Sequence, residues 1–246
     1  MNRILIPTLG VCGWKQWLGD PEKHWKRGHS ALELAASWEA ATKAKRGIPT
    51  EVVKLLDQQS QTKNALLLLA IPEHKVAIPG GGFPSQTDLW ALLNNGNNLI
   101  SLAIEGKAGE PFGEKIDKWQ KGNPKDNNLE NSVANRNTRL EGLCKILQLP
   151  TVGIGHLYYQ LLHRTASAIL EAERFGAKQA VMIIQSFEKK DHYADFEQFA
   201  TALGATGTAK EKLLAIRPRT DGLTLWIGWT DCNCLSDEEF AKLPIC

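Results

Sequence analysis

The sequence has no long hydrophobic run. Stretches such as Ala65–Ile71 and Leu99–Ile104 fall far short of the roughly 20 residues that cross a bilayer. The apolar part of Met1–Pro7 is too short for a signal peptide, so a cytoplasmic location is expected. Cysteine is scarce: five residues cannot close a disulfide framework in pairs, and Cys232 and Cys234 have no second pair to complete a zinc site. A surplus of one charge is also missing. The 29 basic and 27 acidic residues leave a net charge of +2, which excludes a histone-like global field but not a local basic groove. There is no Gly-Lys-Ser/Thr of a phosphate loop, no His-Glu-x-x-His and no Gly-x-Ser-x-Gly, which counts against nucleotide hydrolysis, zinc proteases and serine hydrolases.

What is present is the composition of a globular protein, 246 residues with 43% hydrophobic and 23% charged, enough for one substantial core. No repeat and no linker divides it, so a single domain over 1–246 is expected. Ser30 with Glu33 reads as a capping box opening a helix over Ser30–Arg46, stopped by Gly47 and Pro49. A short helix over Glu51–Gln58 follows. Ala65–Ile71 and Lys75–Ile78 read as two strands broken at Pro72-Glu73-His74, and Pro79 and Gly80–Gly82 end them. Thr87–Leu93 and Leu99–Ala108 flank Asn94–Asn98, where Asn95-Gly96 signals a hairpin. Residues 120–138, with six asparagines between Asn123 and Asn137, read as a long loop. Helices over Thr138–Leu147 and His156–Phe175, a strand over Gln179–Phe187, a helix over Asp195–Leu203 and strands over Leu213–Arg217 and Leu223–Thr230 complete an α/β (α+β) order with a mixed sheet.

The chemistry concentrates in the hairpin. Paired positions across a turn at Gly96/Asn97 sum to about 193, which sets Asp88 opposite Glu105. Opposite residues share a face about 5 Å apart. Lys107, two residues on, points the same way. Two facing carboxylates at the end of an apolar hairpin repel each other. They call for a compensating charge, either Lys107 within a structural ion cluster or a shared divalent cation. On the preceding helix, Glu39 shares a stripe with Leu32 and Ala36, an acid set into an apolar arc. Glu33 falls on the polar side.

Asp88, Glu105-Gly106-Lys107 and the order helix, three strands, helix, strand together resemble the PD-(D/E)xK (restriction-endonuclease-like) nuclease superfamily. The resemblance covers about residues 30–187, leaving an aromatic and basic extension at 1–29 and a C-terminal strand and helix extension at 188–246. The stretch Tyr159–Glu173 looks like that of uncharacterised bacterial proteins placed in this group. Thr87 stands where the family name has Pro. Gly106 stands where an apolar residue is usual, and a strand glycine marks a bulge or a close approach. The resemblance implies a restriction-endonuclease-like core and a Mg²⁺- or Mn²⁺-dependent endo- or exonuclease. Asp88, Glu105, the Gly106 carbonyl and Glu39 would be the metal ligands, and Asp88, Glu105, Lys107 and Glu39 the catalytic set. The implied partner is nucleic acid, DNA before RNA, with no membrane and with a homodimer as an allowed assembly. A catalytically silent nucleic-acid-binding module or complex subunit on the same fold is the alternative.

Weaker signals surround this set. Gln160, Arg164, Ser167 and Glu171 form one helical stripe. It is either a solvated face with an Arg164–Glu171 pair or a row leaning over the site, where Gln160 and Arg164 would meet substrate. Ser85 and Gln86, after the glycine turn, could donate to a phosphate backbone. Trp14, Lys15, Trp17, Trp25, Lys26 and Arg27 mix aromatic and basic residues, which suits either stacking on nucleic acid or capping of a core.

Overall fold

The computed structural model describes residues 10–125, 128–187, 192–216 and 218–243. The segment Met1–Pro7, Arg217 and Cys246 therefore lie outside the described residues. Two short helices, α1 (Cys12–Lys15) and α2 (Pro21–His24), precede α3 (Ser30–Ala41) and α4 (Thr50–Leu56). Strands β1 (Leu66–Val76), β2 (Ser85–Asn94) and β3 (Leu99–Lys107) follow as an antiparallel meander. The chain then passes through α5 (Ile116–Trp119), α6 (Leu129–Leu147) and α7 (Tyr159–Phe175) to β4 (Gln179–Ser186), which lies parallel to β3. Helix α8 (Tyr193–Ala202), β5 (Leu213–Ala215), β6 (Thr224–Asp231) and α9 (Asp237–Ala241) complete the order. The sheet is six-stranded and mixed, in the order β1-β2-β3-β4-β6-β5, with helices on both faces. Strands β5 and β6 from the C-terminal region extend the same sheet beside β4.

Each face has its own apolar layer. Met182, Ile184 and Trp229 pack beneath α6, α7 and α8. Ile104, Val181 and Ile183 pack beneath α1, α3 and α4, with Trp14 and Trp38 among them. Trp14 is 2% exposed, so this tryptophan of the N-terminal segment caps the core.

Several local expectations are corrected. Residues 66–76 form one strand, not two. Pro72 is tolerated because β1 lies at the sheet edge, where a missing N–H costs no ladder bond. Glu73 adopts φ +52 and the chain continues. Residues from Leu129 onward are helical, not loop. The Asn128 side chain caps Asn131 N–H at 3.1 Å, and Asn131, Asn135 and Asn137 occupy a first half of α6 that buries nothing before Arg139. Helix α3 ends at Ala41, before Arg46. His29 is its N-cap and Ser30 makes no cap. Glu33 instead accepts from Gly28 N–H at 2.8 Å and from Arg27 at 3.0 Å. It is 1% exposed because the N-terminal segment folds over it. Gly106 makes no bulge, since β3 and β4 stay in register through Lys107. It marks close approach: an added Cβ would lie 3.4 Å from Leu34 and 3.5 Å from Ser30.

Candidate functional site

The β2–β3 ladder has the expected register, with Leu89 opposite Ile104 and Asn94 opposite Leu99. It places Asp88 beside Glu105, one step past the Leu89–Ile104 pair that ends the ladder. Asp88 Oδ2 accepts from Gly106 N–H at 3.0 Å. Of the main-chain atoms of Gly106, it is the N–H that touches the cluster. Glu105 is 2% exposed and points toward α7. Arg164 lies across both acids, with Nε 2.5 Å from Glu105 Oε2 and Nη2 3.3 Å from Asp88 Oδ1. Glu105 Oε1 accepts from Lys107 Nζ at 2.8 Å and from Gln160 Nε2 at 2.7 Å. Lys107 Nζ also donates to Gln160 Oε1 at 3.1 Å. The stripe on α7 thus leans over the strands. Arg164 pairs with Glu105 and Asp88, while Glu171 pairs with Arg174 at 3.0 Å.

Glu39 is not brought to this cluster. Helix α3 lies on the face toward which Gly106 points, whereas Glu105 meets α7. Glu39 Oε1 accepts from Trp14 Nε1 at 2.9 Å. The nearby third acid is Glu73 on β1. The β1–β2 register runs Pro72–Leu89 and His74–Thr87, which sets Glu73 at the level of Asp88. Gln86 Nε2 donates to Glu73 Oε2 at 2.7 Å, and Ser85 Oγ lies 2.7 Å from His163 Nδ1. Ser85 and Gln86 are therefore engaged within the protein. Reading Pro72 as a break hid Glu73. The same register arithmetic that paired Asp88 with Glu105 would have found it.

The charges are out of balance. Three acids face Arg164 and Lys107. Burial, then the charge of Glu105, push the Asp88 carboxyl up to about 7. Burial, then the charge of Asp88, push Glu73 up to about 8. Burial also works to raise Glu105, but Arg164 and Lys107 outweigh it and hold this carboxyl below its ordinary range. His163, buried next to Arg164, is held well below the ordinary imidazole value by burial and by Arg164, Arg139 and Lys107.

This imbalance predicts an inverted pH dependence of stability. The folded state binds protons at Asp88 and Glu73 that the unfolded chain has already released, with unfolded values near 3.8 and 4.5. Stability therefore falls as pH rises through about 7 and about 8. His163 runs the opposite way, but only below its ordinary 6.5. Denaturant unfolding should lose about 2–3 kcal/mol between pH 6.5 and 8.5. A flat profile over that range would show that these acids are ionised in the folded protein.

Among the described residues, no three His, Cys, Asp or Glu side chains are gathered to hold a metal, and no helix is long and apolar enough to cross a membrane. No curated protein and no solved structure matches the chain at a significant level. Residues 7–234 match the family model described as Domain of unknown function (DUF6946), and the chain belongs to that family.

Proposed function

We propose that this protein is a divalent-metal-dependent phosphodiesterase acting on nucleic acid, DNA before RNA, on a restriction-endonuclease-like core. One observation carries the reading. Asp88, Glu105 and Lys107 converge at the end of two neighbouring strands under Gln160 and Arg164, with more acid than the facing cations balance. The donor set is all oxygen and short of positive charge, which is the chemistry that suits Mg²⁺ or Mn²⁺. Asp88 and Glu105 would hold the ion, and Glu73, at the same level on the next strand, would add negative charge nearby rather than a third ligand, while Glu39 lies on the other face. Such an ion supplies charge stabilisation for a phosphoryl oxygen.

The chain's own groups divide the remaining work. Asp88 keeps 23% of its side chain exposed, so the cluster opens to solvent on that side. Of the two Arg164 contacts, the one to Asp88 is the longer, so it would be the one to give way if Asp88 held a cation. Anchored on Glu105, the guanidinium would present its remaining N–H groups to a phosphate. Lys107 Nζ, held by Glu105 and Gln160, is set to stabilise negative charge developing on phosphorus. Gln160 fixes both partners.

The test is incubation of the purified protein with duplex DNA, single-stranded DNA and RNA, in Mg²⁺ or Mn²⁺ against EDTA. Cleavage that needs the metal and falls at least about 100-fold in Lys107→Ala is expected. A second reading, a silent binding module, is favoured by one observation: every oxygen of Asp88 and Glu105 is already hydrogen-bonded within the chain. Absence of cleavage on all substrates with both metals, with binding retained, would establish that reading and remove the enzyme.

A further inference from the structure

Beside the acid cluster lies a separate cavity of about 530 Å³. Its walls come from five places: the turn after β1, the start of β2, α5, α6 and α7. Arg136 and Arg139, three residues apart on α6, line it together with Trp119, Tyr159, His163 and Phe83. The turn is seated tightly. Gly80 has φ +98, and a Cβ there would meet the Arg139 backbone at 2.6 Å. Gly81 O then accepts from Arg139 Nη1 at 2.7 Å.

The two arginines are held in place without being neutralised. Arg139 Nε donates to the Tyr159 hydroxyl at 2.5 Å, and this arginine is 8% exposed. Arg136 Nη1 donates to Trp119 O at 2.8 Å, and its guanidinium lies 5.3 Å over the Trp119 ring. Trp119 in turn stacks on Tyr159 with centroids 3.8 Å apart and planes 10° from parallel. Among the described residues neither arginine has a carboxylate partner, and each keeps guanidinium N–H groups that no bond uses. None of these spare N–H groups is sealed from solvent, so they open on the cavity, where an anion can take them up in charge-assisted hydrogen bonds. At the mouth stands Phe83, 91% exposed, a large apolar ring with nothing over it.

The cavity and the acid cluster are joined through α7. Tyr159 and His163 face the cavity, and the residue after each, Gln160 and Arg164, holds Glu105. An extended ligand with its anion on Arg136 and Arg139 would run along α7 toward the cluster. Anion recognition by arginine beside an open aromatic face is the chemistry of a nucleotide whose base is unpaired. A base within a duplex already has both faces stacked and cannot lie on Phe83.

We propose that this cavity binds one nucleotide unit of a single-stranded nucleic acid, its phosphate on Arg136 and Arg139 and its base on Phe83, and feeds the strand toward Asp88 and Glu105. The direction of feeding rests on the phosphodiesterase reading; the binding does not. The test is fluorescence anisotropy with a labelled single-stranded DNA oligonucleotide in EDTA, which separates binding from any cleavage. The duplex of the same sequence, a free deoxynucleoside monophosphate and inorganic phosphate serve as competitors. The single strand should compete best. Phe83→Ala and Arg136→Ala, both at the cavity's open side, should each weaken binding about tenfold. Arg136→Ala should also lower the salt slope by about 0.7. Equal binding of duplex and single strand, unaltered affinity in both variants, or competition by the mononucleotide as strong as by the strand would overturn the proposal. If both variants lose binding while no metal-dependent cleavage is found, the subsite stands and the enzyme reading falls.

Discussion

Asp88→Asn should separate activity from stability. Metal-dependent cleavage is expected to fall by at least about 100-fold, because the substitution removes a ligand charge that nothing nearby replaces. The same variant should be more stable than the parent above pH 7. In the folded protein the Asp88 carboxyl holds its proton up to about 7, through burial and the charge of Glu105, so a neutral side chain of nearly the same shape suits the site better than the carboxylate. At pH 8.5 the gain should be about 1–2 kcal/mol, and the decline between pH 6.5 and 8.5 should become shallower. Activity assays and denaturant melts on one preparation check both halves. A purely structural ion cluster gives a different pattern: the variant would be less stable at every pH, and there would be no activity to lose.

Arg164 carries the second large effect, on folding. Its guanidinium is the partner of Glu105 at 2.5 Å and of Asp88 at 3.3 Å, and its side chain is only 10% exposed. Arg164→Leu leaves Glu105 buried with Lys107 as its one remaining cation. Breaking such a pair costs about 3–5 kcal/mol, or a fall in Tm of about 10 °C for a chain of this size. The loss should be greater at pH 8.5 than at pH 6, where protonated acids need less compensation. Arg164→Lys should recover part of it, because the charge returns without the fork that reaches both carboxylates. Thermal melts at the two pH values decide the matter. A Tm within 2–3 °C of the parent at pH 8.5 would mean that Lys107 and Gln160 suffice to hold Glu105.

Much of this site could be read from local chemistry. The Asn95-Gly96 turn settles the register of β2 and β3, and one sum then pairs Asp88 with Glu105. The side-chain period of two puts Lys107 on the same face, where it meets Glu105. Arg164 and Gln160 were legible only as a stripe with two meanings. A helix on its own does not say which side meets the sheet, and an Arg164–Glu171 pair satisfies the same spacing. Glu39 and Glu33 show the opposite failure. Both sit on an apolar helix, and both are buried by residues 11–28 folding back, a contact with no trace in helical periodicity.

By itself, then, the sequence determined the β2–β3 hairpin, the helix and strand order of a mixed sheet and the pairing of two acids, because turn chemistry and strand period act over a few residues. Tertiary structure alone decided which acid is third. Glu73 reaches the cluster because an edge strand tolerates Pro72 and a positive φ, and Glu39 misses it because α3 packs on the other face of the sheet. It also decided that Arg164 bridges the acids and that Arg136 and Arg139 share a cavity with Phe83. These contacts join segments tens of residues apart, and their geometry follows from how whole layers pack rather than from any spacing along the chain.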